Sequence, residues 1–206
     1  MANLTPHSIR RNMGFLFLEV FLIVLGVLLG MAVNEWRINR SNEALAERSL
    51  EQIKAEIIYN QEQIERIVEY HSSLSDSMMS LANKVFMGET NIAYEDLRGA
   101  MPQGFGVPLL QSSAWDLAHQ TGATSYMDYR PARSLSLYYN FQSFVKGKLE
   151  RISDNLYSAP SMDPATVKGL TVSLALLAND LVIQEREMLE FSDSLLIKLN
   201  DVKAAE

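Results

Sequence analysis

The side chains that carry out chemistry in enzymes are present in this chain, but not in working arrangements. The three histidines, His7, His71 and His119, stand far apart. No His-x-x-Glu-His or similar pair puts two ligands on one helix face, so a zinc site has no support. Cysteine is absent, which excludes disulfides, iron–sulfur ligation and thiol nucleophiles. Serines are numerous, yet there is no Gly-x-Ser-x-Gly turn and no recognisable Ser, His and Asp order. Gly104 and Gly106 have no strand before them and no lysine after them, so they do not form a phosphate loop. The Glu and Glu-x-x-His set of di-iron bundles is also missing. The remaining carboxylates spread along helix exteriors as solvated faces. The expectation is no catalytic residue, no cofactor and no metal. A formal net charge of -7 further argues against nucleic acid as a partner.

The elements that would hold a site are easier to read. Residues 15–36, FLFLEVFLIVLGVLLGMAVNEW, hold Glu19 as the only charge between Phe15 and Val33. About 19 helical residues span roughly 28 Å, close to the hydrocarbon thickness of a bilayer. Arg10 and Arg11 precede the run, and Trp36, Arg37 and Arg40 follow it, as interfacial anchors do. The run is longer than the apolar core of a cleaved signal, which favours a retained anchor. At 100° per residue, Glu19, Ile23, Gly26, Gly30, Val33 and Asn34 share one face with Arg37. Gly26 and Gly30 make a Gly-x-x-x-Gly pair that lets another helix approach closely, and Glu19 and Asn34 are polar groups that seek a partner or the headgroups. The flanking arginines nearly balance. A short basic tail favours an N-terminus in the cytoplasm of a bacterium, a single pass through the inner membrane, and the main domain outside.

Beyond the anchor the apolar positions step by threes and fours: Ala46, Leu50, Ile53, Ile57, Ile64, Ile67, Leu74, Met78, Leu81 and Val85. This is a heptad seam, with Glu47, Arg48, Glu51 and Lys54 expected on outer positions. Asn60 and His71 occupy seam slots, either to set register or, as favoured here, because the seam opens and both are solvated. No proline lies between 7 and 101, so one helix can run from the membrane to about Phe86; the serine-rich stretch from His71 to Ser77 is its weak point.

Residues 99–111, GAMPQGFGVPLLQ, read as a loop whose Phe105, Val107, Leu109 and Leu110 fold onto the bundle. A short helix from Ser112 to Gly122 follows, with a serine cap and a glycine stop, and Trp115 as a core anchor. Asp128-Tyr-Arg-Pro131 opens a helix whose face runs Leu135, Tyr138, Phe141, Val145, Leu149, Ile152 and Leu156, with Tyr139 and Phe144 adding to its aromatics. After a turn over 158–162, Asp163 caps a last helix carrying Leu170, Leu174, Leu177, Leu181, Met188, Phe191, Leu195 and Val202. Its richest part, 169–183, is too short for a second span. The expected organisation is a basic tail (1–14), a transmembrane helix (15–36), a long amphipathic helix (37–98), a loop with a short helix (99–130) and a two-helix remainder (131–206). The fold class is all-α: an N-terminal transmembrane helix continuing into a long amphipathic helix, then an antiparallel bundle.

Two stretches are familiar. Glu19-x-x-x-x-Val24-Leu25-Gly26-Val27-Leu28-Leu29-Gly30-x-Ala32-Val33-Asn34-Glu35-Trp36, followed by a charged helix, resembles an uncharacterised bacterial family of single-span membrane proteins. Ser113-Ala114-Trp115, closing at Thr121-Gly122, resembles a second pattern of that family, departing from it at Leu117 and Ala118, where leucine is usual one position later. The likeness implies the anchor-plus-helical-domain layout and carries no activity. The leading expectation is a non-catalytic accessory subunit. Its anchor packs against other transmembrane helices in membrane lipid, and its helical domain docks on a larger complex, for example a respiratory or photosynthetic one. The alternatives are a membrane-anchored sensor or ligand-binding bundle, and a homo-oligomeric tether zipped by the seam.

Overall fold

The computed structural model is all-helical. It describes the backbone of residues 6–88, 91–157 and 164–204, with side chains described for 13–88, 91–154, 156 and 166–201. The turn expected over 158–162, the Asp163 cap and the side chains of Arg10 and Arg11 lie outside those residues.

α1 (Pro6–Phe86) is one helix of 81 residues, about 120 Å long at 1.5 Å per residue. Neither glycine nor proline occurs between 31 and 87, so nothing in its covalent structure interrupts it. The expected weak point from His71 to Ser77 does not break. Leu74, Ser75 and Met78 are buried there. The Ser73 and Ser77 hydroxyls donate to the carbonyls of Glu69 (3.1 Å) and Ser73 (2.9 Å), staying inside the helical ladder. The span 37–98 is not a single helix, because Gly88 adopts φ +88 just past Phe86 and turns the chain. A short α2 (Tyr94–Ala100), the glycine-rich loop, α3 (Ser113–Gln120) and a 3-10 turn (Ala123–Tyr126) then lead down to α4 (Tyr129–Tyr157) and α5 (Pro164–Ala204).

Register follows from the cross-helix contacts. Tyr139 meets Glu56 and Gln142 meets Asn60, so α4 runs in the same direction as α1. Gln61 meets Asp193 and, ten residues on, His71 meets Glu185; the α5 number falls as the α1 number rises, so α5 is antiparallel. α5 packs along both α1 and α4, and the segment from α2 to the 3-10 turn packs against α1 on the other side. The result is an up-down-up-down bundle in which one of the four descending or ascending members is this composite segment.

The seam closes on the chain's own core. Ile53, Ile57 and Ile64 are fully buried, Leu50 is half-buried against the core, and Ile67 is half-buried beside the loop. Leu135, Tyr138, Val145, Leu149, Ile152, Leu174, Leu181, Met188 and Leu195 meet them from α4 and α5. Two details differ from the sequence reading. Lys54 is buried rather than outer, with its ammonium 3.4 Å from Glu51. Phe144 and the loop residues Val107 and Leu109 are exposed, which leaves Phe105 as the loop's fully buried residue among its apolar four.

Burial on α1 begins at Ala46. Every described residue from 13 to 41 is exposed, including Glu19, Ile23, Gly26, Gly30, Val33, Asn34, Trp36 and Arg37. The Arg40 guanidinium lies over the Trp36 ring at 6.0 Å. By length and composition α1 and α5 are both long and apolar enough to cross a membrane. They differ in where the apolar surface goes: none of the most apolar window of α1 is buried, against 39% in α5.

Candidate functional site

Three polar residues on the inner face of α1, Glu56, Asn60 and His71, grip the segment between α2 and α4 at successive heights. Asn60 and His71 occupy seam positions and Glu56 lies beside the seam; all three are buried, so each needs full hydrogen-bond satisfaction to offset that burial.

His71 is 1% exposed and Glu185 is fully buried. The imidazole Nδ1 lies 2.8 and 2.9 Å from the two Glu185 carboxylate oxygens. Its Nε2 lies 2.9 Å from the Phe105 carbonyl oxygen and 3.3 Å from that of Gly106. Carbonyl oxygens only accept, so Nε2 carries a proton; the second proton of the pair lies between Nδ1 and the carboxylate. Burial alone would lower the pKa of His71, but the Glu185 carboxylate and the two carbonyls together raise it above its ordinary value. With His71 protonated the pair is a buried ion pair that also binds a loop backbone. The loop fits closely: Gly106 has φ +73, and a Cβ there would stand 2.8 Å from Ile67 Cδ1. The Tyr70 hydroxyl donates to the Gly104 carbonyl, and the Phe105 ring packs beside the imidazole with centroids 5.4 Å apart.

About three turns toward the N-terminal end of α1, Asn60 makes a two-way amide bond with the loop's end. Its Nδ2 donates to the Gln111 carbonyl (2.8 Å), and the Gln111 N–H donates to its Oδ1 (2.7 Å). Gln142 of α4 donates to the same carbonyl at 2.8 Å. Both Asn60 and His71 are therefore satisfied inside the core, and the expectation that they are solvated is overturned. Their partners come from elements 34 to 114 residues away, which no local pattern reveals.

Glu56, which periodicity alone does not single out, is the cap of α3. Its Oε2 accepts from the Ala114 N–H (2.8 Å) and the Ser113 hydroxyl (3.0 Å), and its Oε1 accepts from the Tyr139 hydroxyl (2.7 Å). A carboxylate at a helix N-terminus is stabilised by the free N–H groups and the dipole. The expected serine cap is not used: Ser112 donates to Asp116 at 2.9 Å instead. The glycine stop is real, since Gly122 has φ +75. Trp115 is buried and stacked on Tyr139, with centroids 5.1 Å apart and planes 6° from parallel. Burial first, then the Glu56 carboxylate, pushes the Tyr139 hydroxyl far above its ordinary pKa. Burial raises that of Tyr138 to about 12, with smaller opposing effects from Ser192 and Asn60.

Chemically this arrangement is a clamp. Every polar atom of the His71–Glu185 pair faces a protein partner. Two shallow grooves lie nearby. One, of about 230 Å³, is lined by Gln63, Arg66, Tyr70 and Gln103 on the outer side of the loop. The other, lined by Asp76, Glu95 and Asp96, is wide open. Among the described residues no group of His, Asp and Glu is placed to hold a metal. The anchor face of Glu19, Ile23, Gly26, Gly30, Val33 and Asn34 is exposed and meets no other element among the described residues. No family model, curated protein or solved structure matches the chain.

Proposed function

We propose that the chain is a membrane-anchored, non-catalytic accessory subunit. The 15–36 segment spans the bilayer and packs beside other transmembrane helices, and the bundle docks on a larger membrane assembly. One observation carries this reading: the most apolar stretch of the molecule is also its most exposed, while the bundle's own core is closed and its buried polar groups are almost all partnered. A bare apolar helix of this length needs lipid. Its polar and small positions need more than lipid: nothing lies within 4 Å of where a Cβ would stand on Gly26 or Gly30, and Glu19 and Asn34 share that side. The anchor's resemblance to a single-span bacterial family supports the same layout, with the bacterial inner membrane as its place and the N-terminus in the cytoplasm.

Extraction from native membranes in mild detergent, followed by sizing, tests the proposal. The expected result is co-migration with other membrane proteins, lost on Gly26→Leu or Gly30→Leu without loss of the folded bundle. Migration as a free monomer under every mild condition would refute it. The seam-zipped tether loses its contact surface, because Ile53, Ile57 and Ile64 are consumed inside the chain. The sensor reading keeps one observation in its favour, the groove at Gln63, Arg66, Tyr70 and Gln103. It abuts the clamped loop, so a small ligand held there would bear on that loop.

A further inference from the structure

We infer that the corner joining the 3-10 turn to α4, residues 126–133, is a docking surface for anionic lipid headgroups. This rests on the anchored reading above and adds a second membrane contact to it. The position comes from register. Tyr139 is level with Glu56 on parallel helices, so ten residues back along both, Tyr129 comes level with Ala46, where burial on α1 begins. The corner is therefore the anchor-side end of the bundle. Ala46 is ten residues beyond Trp36, about 15 Å along a helix. The headgroup layer fills the first ~5–8 Å of that interval, and an ordinary tilt of roughly 20° lowers one edge of the bundle into the remainder.

The side chains fit that placement. Tyr126 is 51% exposed and Tyr129 is 79% exposed, an unusual exposure for two aromatics three residues apart unless a partner covers them. Tyrosine is the residue type that settles at a membrane interface. Arg130 and Arg133 are exposed, and neither makes an ion pair or hydrogen bond with a described residue. Arg48 on α1, level with them, is likewise unpaired.

The charge of the bundle is polarised along its axis. Over the described residues of 53–120 and 137–194, nine Lys and Arg face fifteen Asp and Glu; over those of 34–52, 121–136 and 195–201, six face six. The acidic excess thus sits at the end away from the membrane. The near end is balanced in number, Glu43, Glu47 and Asp128 included, and keeps long basic side chains free to reach down. An anionic surface attracts such arginines within a Debye length and repels the far end.

The absence of native cysteine allows a single reporter. The full chain carrying Ser125→Cys, labelled with a fluorophore, is placed in nanodiscs of phosphatidylcholine, with or without phosphatidylglycerol, that contain a headgroup-attached nitroxide quencher. The expected result is strong quenching that rises with anionic lipid. Arg130→Glu with Arg133→Glu should lower the docked-to-undocked ratio by about 30-fold or more. A label at Ser80, about 50 Å farther along α1, should stay bright in both lipids. Quenching at 125 that is no greater than at 80, or that ignores lipid charge, overturns the inference while leaving the anchor intact. Failure of the chain to enter discs at all overturns the anchored reading and this one together. Quenching that is equally strong in neutral discs assigns the contact to the tyrosines and overturns the anionic preference.

Discussion

Replacing Glu185 by leucine removes one half of the clamp and leaves the other half inside. His71 Nδ1 then faces an apolar side chain at a site where the imidazole is 1% exposed and its former partner was fully buried. Water cannot reach it without opening the bundle. Stranding one member of such a pair costs about 3–5 kcal/mol. The double replacement, His71→Leu with Glu185→Leu, removes both charges but leaves the Phe105 and Gly106 carbonyls without a donor, at about 1–3 kcal/mol each if they stay dry. The single variant should therefore be about as damaged as the double or more so, and the two single effects should sum to clearly more than the double. Urea unfolding of the detergent-solubilised chain, followed by circular dichroism, measures this. The pH profile supplies a second arm. The pKa of folded His71 is raised above 6.5, so the pair's contribution is complete below pH 6.5 and is lost as pH rises through the folded value. Wild-type stability should fall across that interval by no more than about 1.4 kcal/mol per pH unit from this group. The double variant should lack that slope. Additive single effects together with a flat wild-type profile from neutral to alkaline pH would refute the clamp.

Three further outcomes follow from the same contacts. Glu56→Ala deprives Ala114, Ser113 and Tyr139 of their acceptor and should cost about 2–4 kcal/mol, with early amide exchange in α3, read by hydrogen-exchange mass spectrometry. Gly106→Ala forces a Cβ into a positive-φ position 2.8 Å from Ile67 Cδ1; it should cost about 1–3 kcal/mol and raise protease cleavage within 101–110, with partial rescue by Ile67→Ala. Of the eight tyrosines, Tyr138 and Tyr139 should stay protonated in the folded chain when the exposed ones ionise, so absorbance titration should show a deferred step near pH 12 that merges with the main one on unfolding.

Periodicity made the helices legible because it is a local property. The steps from Ala46 to Val85 and from Leu135 to Leu156 record which face is dry, and those faces are dry in the structure. The clamp was half legible. Asn60 and His71 stand out as polar residues on an apolar seam, but whether a seam slot is wet or satisfied depends on what arrives from elsewhere. Glu185 arrives from 114 residues away and Gln142 from 82. Glu56 was missed because an acidic residue beside a seam looks like any solvated outer position. Its one available signal was its place four residues before Asn60, on the same polar stripe. Lys54 misled for the same reason, since its long stem lies along the bundle while its ammonium reaches Glu51.

The uninterrupted α1 makes anchor and bundle a single shaft. With no glycine or proline between 31 and 87 there is no joint at which rotation can dissipate, so twist applied to the apolar N-terminal part is delivered to the head. Inserting one residue near Ile38 would swing the head by about 100° and lift it about 1.5 Å, whereas inserting a near-whole number of turns would restore its bearing. The direction the head faces around the α1 axis, relative to the apolar stretch, is thus set by residue count, as the phase of a crank is set by where it is keyed.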